Sequence, residues 1–429
     1  MTLQLESLHV ESLNVEAKPL LLAQRVWDQE CPALLWTQTG NGPSYIACNP
    51  VAHSFGLDPE PELQLGARLG SHAHVPRWFG VLPYEDERAR LERSAFTPAE
   101  TRPTPLIARA QWWRYPAVAC IQEGRVSVVG DDPKAVRQLA ECLTRGKPCS
   151  LDARVELLEQ NVDLEAHRRR IVQAKERIFA GDLYEVNLAR RLELQVEGNA
   201  LGLLEQIGRW AKAEYAAALV MPDGCEVIST SPELFLELGA DRTLRTLPIK
   251  GTRPRGVDAE ADRQIAAELD ADPKERAELA MVIDIERNDL GRVAELGSVR
   301  ASAPYVTRLQ SVFHRQAEVS ARLLPDLDRL ALLRATLPSG SVTGAPKVRA
   351  MEIIAELESE RRGLYTGAFG FVGQDGGLEL AMAIRTLQRR GSLAHYFVGG
   401  GIVADSDPDR EVLETDWKAL QIYKALSTR

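Results

Sequence analysis

The chain lacks any pair of cysteines at metal or redox spacing. Its six cysteines, at positions 31, 48, 120, 142, 149 and 225, form no C-x-x-C, and Cys142 and Cys149 stand too far apart for common zinc spacing. Reduced thiols in a cytoplasmic protein are therefore expected. A run of about 20 apolar residues is also absent, so no membrane-spanning helix is expected. The N-terminal stretch MTLQLESLHVESLNVEAK has no basic segment ahead of an apolar core, so no secretory leader is expected either. Positive charge is in deficit: 52 Lys and Arg against 61 Asp and Glu give a net charge of −9. General affinity for nucleic acid or a membrane surface is thereby excluded, and an anionic ligand would need its own local cations. Internal repeats and low-complexity tracts are missing. What remains is an ordinary globular composition, 45% hydrophobic and 26% charged over 429 residues, enough for one large core.

The first 150 residues carry Pro-rich punctuation (SAFTPAETRPTP) and a strand pair, YPAVACIQEG with RVSVVG. Beyond them, DLEAHRRRIVQAKERIFAGD puts Ile171, Ala174 and Ile178 on one helical stripe that stops at Gly181. LYEVNLARRLELQV, YAAALVM, CEVISTS and LFLELG alternate as strands. Asp272 with Pro273 opens a helix, and Glu275 completes a capping box. Asp407 with Pro408 opens another. Thr343-Gly344 is expected to open a third helix, closed by Gly363. A meander follows, with turns at Gln374-Asp375-Gly376-Gly377 and Arg390-Gly391-Ser392. Mixed helices and hairpin-linked strands predict an α+β fold with a largely antiparallel sheet.

Two helices repeat the spacing E-x-x-E, one with Glu275 and Glu278, the other with Glu411 and Glu414. Residues three apart share a helix face. Two such faces opposed would gather four carboxylates, and a hard divalent cation such as Mg²⁺ relieves their repulsion. The same spacing also suits solvated helix charges, with Glu414 paired to Lys418. Gly399-Gly400-Gly401 ends a strand just before the second acidic helix, as close approach of a ligand or backbone would require. Thr343-Gly344-Ala345-Pro346-Lys347 suits an anion at a helix start. Arg385, in LELAMAIRTL with small neighbours at Ala381 and Ala383, has room to grip a carboxylate. Each signal is weak alone. Together they converge on one anionic ligand with a metal.

The segments SPELFL, PIKGTRPRG, ERAELAMVIDIERNDLGRV, PSGSVTGAPKVRAMEII, RRGLYTGAFGFVG and VGGGIVADSDPDREVLETDWKAL resemble the chorismate-utilising enzymes, from about Leu164 to the end of the chain. That family includes anthranilate synthase component I, aminodeoxychorismate synthase component I, isochorismate synthase and salicylate synthase. The N-terminal WFGVLPYEDE is similar only in part, with Pro83 in place of a glycine. The resemblance implies an anthranilate-synthase-component-I-like fold: large, mostly antiparallel sheets packed as an orthogonal sandwich with helices outside. Residues 1–150 would complete the sandwich, and residues 160–429 would form the chorismate-binding catalytic region of one intertwined unit. It further implies Mg²⁺ held by Glu278 and Glu414, with Glu275 and Glu411 beside them. Tyr365 and Arg385 would bind a chorismate carboxylate, helped by backbone at Gly399 and Gly401. Lys418 would stand at the ring carboxylate with His314 near it as a catalytic residue, and Ser341, Thr343 and Thr252 would complete the substrate site. Glu233 would protonate the oxygen leaving C4.

Lys250 selects among the family's activities. Anthranilate synthases typically read Pro-Ile-Ala-Gly-Thr where this chain reads Pro-Ile-Lys-Gly-Thr, whereas aminodeoxychorismate synthases carry the lysine. Nitrogen must enter at C4 with its face retained, so two displacements are needed, and a protein amine can be the first nucleophile. Burial beside Pro248 and Ile249 would lower its pKa, whereas a glutamate cluster would raise it. Glu185 occupies the position of the lysine base of water-adding members, which argues against isochorismate or salicylate synthesis. Amine-adding members usually carry Gln there. Ala317 and Ser339 also depart from the more usual Ser and Gly. No G-x-C-x-G glutaminase nucleophile is present, since Cys225 lies in PDGCEV, so a glutamine amidotransferase subunit is the expected ammonia source. The leading expectation is an aminodeoxychorismate synthase component I, a transferase feeding 4-aminobenzoate and folate synthesis. Anthranilate synthase component I is the alternative, and a non-catalytic chorismate-binding regulator a lesser one.

Overall fold

The computed structural model describes residues 8–39, 42–66, 72–85, 102–160, 164–210, 213–308 and 312–426. Most of the Pro-rich SAFTPAETRPTP lies outside them. Two large sheets dominate, and every strand pairing in them is antiparallel. A 12-stranded sheet carries, in spatial order through its middle, Ala33–Trp36, Tyr215–Val220, Cys225–Ser231, Thr386–Arg390, Leu393–Ile402 and Glu185–Gly198. A nine-stranded sheet centres on Leu234–Leu238, Leu378–Met382, Ala368–Gly373 and Pro76–Leu82. A three-stranded sheet of Ile249–Pro254, Val312–Gln316 and Tyr305–Arg308 stands apart.

Alternation explains how the layers form. In Tyr215–Val220, Ala217 and Leu219 enter a core shared with Phe79, Phe369 and Phe371 of the other sheet. Ala216 and Ala218 face the opposite way, into a core closed by Val136 and Leu139, Leu201 and Leu204, and Ile422 of three helices. A strand buried on both faces needs apolar residues at successive positions, and this one has them. The fold is thus α+β, with two antiparallel sheets face to face and helices on the outside. All six cysteines are free, and among the described residues no helix is long and apolar enough to cross a membrane.

Local chemistry sets the helices that frame the site. Asp272 Oδ1 accepts from the N–H groups of Lys274 and Glu275 at 3.0 and 3.3 Å and starts the helix Pro273–Gly291. Asp407 does the same for Asp409 and Arg410, at 3.1 and 2.9 Å, ahead of Pro408–Leu426. Glu275 does not close a capping box: its carboxylate pairs with Arg253 at 3.3 Å instead. Nor do Thr343-Gly344 open a helix. Gly344 and Ala345 pair with Glu185–Gly198 as a short strand, and the helix runs Lys347–Leu357, well short of Gly363.

The chain leaves the nine-stranded sheet after Met382 and joins the 12-stranded sheet at Thr386. Arg385 lies in that crossing, not inside one continuous strand as LELAMAIRTL suggests, and it adopts a left-handed φ of 50°. A non-glycine residue held in that region is a strained position, of the kind found at ligand sites.

Candidate active site

The sheet crossing, the strand Ile249–Pro254 and the two acidic helices enclose a cavity of about 610 Å³. Lys250 reaches it through an irregularity. Ile249 pairs with Gln316 and Thr252 with His314, so Lys250 and Gly251 together oppose the single residue Arg315. Gly251 makes this bulge possible with φ 82°, and a Cβ there would meet Glu275 Oε2 at 2.9 Å. The bulge re-aims Lys250, whose Nζ lies 3.0 Å from Glu185 Oε1 with 13% of its side chain exposed. Burial alone would lower its pKa. The carboxylates of Glu185, Glu278 and Glu233 outweigh burial and hold it above the ordinary lysine value. Lys250 is therefore an ammonium.

Glu233 lies on the cavity wall just after Pro232 and is buried. Burial pushes its pKa up to about 7, against the hydrogen bond that Ser341 Oγ donates to its Oε1 at 3.1 Å. Thr252 and His314 line the same cavity, joined by an Oγ1–Nδ1 hydrogen bond of 2.8 Å. Burial, then the charge of Arg385, pulls His314 down to about 3, so its imidazole is neutral. Tyr365 stacks on Phe397, centroids 5.3 Å apart, and its phenol is raised by burial and stays protonated. Arg385 also faces the cavity. Among the described residues no carboxylate pairs with it; burial lowers its pKa and the Tyr396 hydroxyl partly offsets that.

The glycine run has a steric explanation at two of its three positions. A Cβ at Gly399 would sit 2.5 Å from Leu188 O and 2.9 Å from Tyr365 Oη; one at Gly401 would sit 2.2 Å from Glu185 Oε1. At Gly400 nothing comes closer than 3.5 Å. Lys418 Nζ donates to Gly399 O at 2.7 Å and pairs with Glu414 Oε1 at 2.7 Å. Glu275, Glu278 and Glu414 line the cavity; Glu411 and Thr343 do not. Glu411 is buried behind and accepts from Ser406 Oγ at 2.7 Å. The Thr343 hydroxyl turns back to Ser339 O at 2.9 Å, holding the loop that presents Ser341.

The family model described as chorismate binding enzyme matches residues 34–424. The chain belongs to that family. Anthranilate synthase component 1 of Streptomyces coelicolor is 44% identical over 258 residues, 60% of this chain and 50% of that one. Aminodeoxychorismate synthase component 1 of Salmonella typhimurium is 42% identical over 250 residues, 58% of this chain and 55% of its own. The matches therefore span little more than half the length of these curated relatives. Among solved structures, anthranilate synthase component I from Streptococcus pneumoniae superposes with a TM-score of 0.76 at 27% identity, covering 88% of this chain and 91% of its own. The menaquinone-specific isochorismate synthase of Escherichia coli shares the fold, with a TM-score of 0.76 at 19% identity over 98% of this chain and 95% of its own. The fold is that of anthranilate synthase component I.

Family membership makes the acidic helices a question of metal chemistry. Among the described residues no three acidic, histidine or cysteine side chains stand preassembled around one point. Instead Lys274 Nζ bridges the helices, 3.6 Å from Glu278 and 3.4 Å from Glu411. Burial raises Glu278, while Lys418 first of all lowers Glu414. The donors are carboxylate oxygens with a cation already between the two faces, a set whose chemistry fits a hard ion that displaces the ammonium.

Lys274 is one residue that the sequence reading missed: Glu278 lies four positions on, as a local pair would, but the bridge to Glu411 closes over 137 positions. Asn187 is another. It lines the cavity with its Oδ1 buried and without a partner among the described residues. A signal for it did exist: it follows Glu185 by two in a strand, so both share a face.

Proposed function

We propose that the protein converts chorismate and ammonia to 4-amino-4-deoxychorismate, the precursor of 4-aminobenzoate for folate synthesis. The observation that carries this reading is Lys250, a lysine aimed by a bulge into a chorismate-family cavity and held by a buried carboxylate. One carboxylate of chorismate would meet Arg385 and the Tyr365 hydroxyl, beside the backbone at Gly399 and Gly401. The ring carboxylate would lie toward Lys418. Mg²⁺, held by Glu278 and Glu414 with Glu275 and Glu411 beside them, would neutralise that carboxylate.

Lys250 passes a proton to Glu185, its nearest base, and its nitrogen attacks C2. The ring double bond shifts, the C4–O bond breaks, and Glu233 protonates the departing oxygen so that water leaves. Ammonia then attacks C4, the double bond shifts back, and the C2–N bond to Lys250 breaks. The new amine returns a proton to Glu233, and Lys250 reclaims its own from Glu185. Two displacements restore the original face, and the sum is chorismate plus ammonia giving product plus water. His314, neutral, orients by hydrogen bonding and transfers no proton in this scheme. A glutamine amidotransferase subunit would supply ammonia, in keeping with the relatives' designation as component 1.

The test is product identity. Chorismate, Mg²⁺ and an ammonium salt should give a product that an added lyase converts to 4-aminobenzoate. The relative at 44% identity supports a second reading, anthranilate synthase component I. Anthranilate with released pyruvate would establish it.

A further inference from the structure

Glu233 is one end of a buried chain of oxygens that leads away from the cavity. Ser341 Oγ lies 3.1 Å from Glu233 Oε1, Ser339 Oγ lies 3.0 Å from Ser341 Oγ, and Glu286 Oε1 lies 2.7 Å from Ser339 Oγ. All four residues are buried. Glu286 projects from the helix Pro273–Gly291 and does not line the cavity. Ser339 caps the short turn Gly340–Val342, its Oγ accepting from the Ser341 N–H at 3.1 Å.

Counting hydrogens along this chain gives a definite result. Three oxygen–oxygen contacts need three hydrogens, and two serine hydroxyls supply two. The third must sit on a carboxyl. If Glu286 holds it, each hydrogen points toward Glu233; if Glu233 holds it, each points toward Glu286. The two states differ only by a concerted hop of three hydrogens. Both ionised, the pair would bury two anions joined by one short chain, with one contact left without a hydrogen. Burial raises both carboxyls to about 7, which agrees with one shared proton near neutrality. The charged groups facing them are Lys250 toward Glu233, and Asp289 and Lys347 toward Glu286. Lys347 is itself tied to Asp289.

We propose that Glu286 stores the proton that Glu233 delivers to the departing oxygen, the two carboxyls sharing it through the hydroxyls of Ser339 and Ser341. The proposal rests on the reading above in placing Glu233 at that oxygen. With the shared proton on Glu286, each hydrogen shifts one contact along, Glu286 to Ser339, Ser339 to Ser341 and Ser341 to Glu233. Glu233, neutral by that transfer, gives the proton to the breaking C4–O bond, and both carboxyls are ionised until the next half. The proton released as the new C–N bond forms runs the same path backwards. No external acid or base is required between the two halves, and Glu286 acts only through Glu233.

Three variants test this. Ser339→Ala opens the chain, Ser339→Thr keeps the hydroxyl, and Glu286→Gln keeps a hydrogen to donate but none to transfer. In the opened and amide variants, kcat for chorismate consumption should fall about tenfold, with KM held within about twofold. Ser339→Thr should behave as the parent. Removing the charge of Glu286 lets Glu233 lose its proton earlier, so the alkaline limb of kcat should move to lower pH in Glu286→Gln. Without substrate, the infrared difference between parent and Glu286→Gln near neutral pH should show the loss of one carbonyl band of a buried protonated carboxyl, over whatever Glu379 contributes to both. Unchanged kcat and pH limb in both altered proteins, or an unchanged band, overturns the relay. If the product is anthranilate, the nitrogen's destination is wrong while the proton comparison still stands. If chorismate is not consumed at all, the functional reading fails and the infrared band alone decides the sharing.

Discussion

Two parts of the cavity lining treat charge in opposite ways. In one, Lys250, Lys274 and Lys418 each rest on glutamates, at 3.0, 3.6 and 2.7 Å. In the other, no carboxylate among the described residues pairs with Arg385, and the imidazole near it is neutral. A fully buried arginine sharpens the contrast. Arg362 grips Glu358 with two nitrogens at 3.0 and 2.7 Å and donates to Asn187 O at 2.6 Å. Its charge is fully answered by the protein, and it serves the fold. Arg385 is partly exposed to the cavity and has no such answer among the described residues, which is costly unless a ligand supplies the anion. The paired region has its charges answered by the protein; the unpaired one suits a carboxylate ligand.

The comparison can be broken at either side. The largest effect belongs to Lys250→Ala, which should cut amino-product formation roughly a thousandfold, measured by product quantification with saturating ammonium. Arg385→Ala comes next. Losing a charge-assisted, two-point carboxylate contact of about 2–3 kcal/mol should raise KM for chorismate roughly a hundredfold, read by steady-state kinetics, and Arg385→Lys should recover only part of it. Lys274→Met removes the ammonium between the helices. The Mg²⁺ concentration for half-maximal rate should then fall about fivefold in a metal titration. An unchanged titration would show that Lys274 and the ion do not compete.

Glu185→Gln is the most diagnostic change, because it removes both the acceptor of the Lys250 proton and the charge beside it. Glu185 raises the pKa of Lys250, and with the free amine as the proposed nucleophile the rate should climb with pH as that proton is lost. Neutralising Glu185 lowers the pKa, and the rising limb should move to lower pH. A limb that stays in place would remove Lys250 ionisation from the rate.

Features that depend on neighbours in sequence were readable before the structure. Asp272 and Asp407 followed by proline start helices because a side-chain oxygen and a missing N–H act within one turn. The E-x-x-E faces and the late hairpin turns are likewise local. What could not be read depends on long closure. Glu185 meets Lys250 across 65 positions, and Ser341 meets Glu233 across 108. The corner at Arg385 was misread as strand because the apolar run at 380–384 leads into it without a turn residue, while the change of sheet is decided by which strands pair. Thr343 was read as facing substrate, yet its hydroxyl is used by its own loop. The departures at Glu185 and Ser339 gained meaning only beside their partners. For Ala317, buried under Pro248, nothing in the structure explains the choice of residue.

The central claim is that Lys250 bonds to the substrate before ammonia does. Intact-protein and peptide mass spectrometry of the enzyme held with chorismate and Mg²⁺, without ammonia, tests it most directly. The account predicts a chorismate-derived adduct, less one water, located on Lys250 and discharged on adding ammonium. Protein that stays unmodified, together with a Lys250→Ala variant that still forms product, would contradict it.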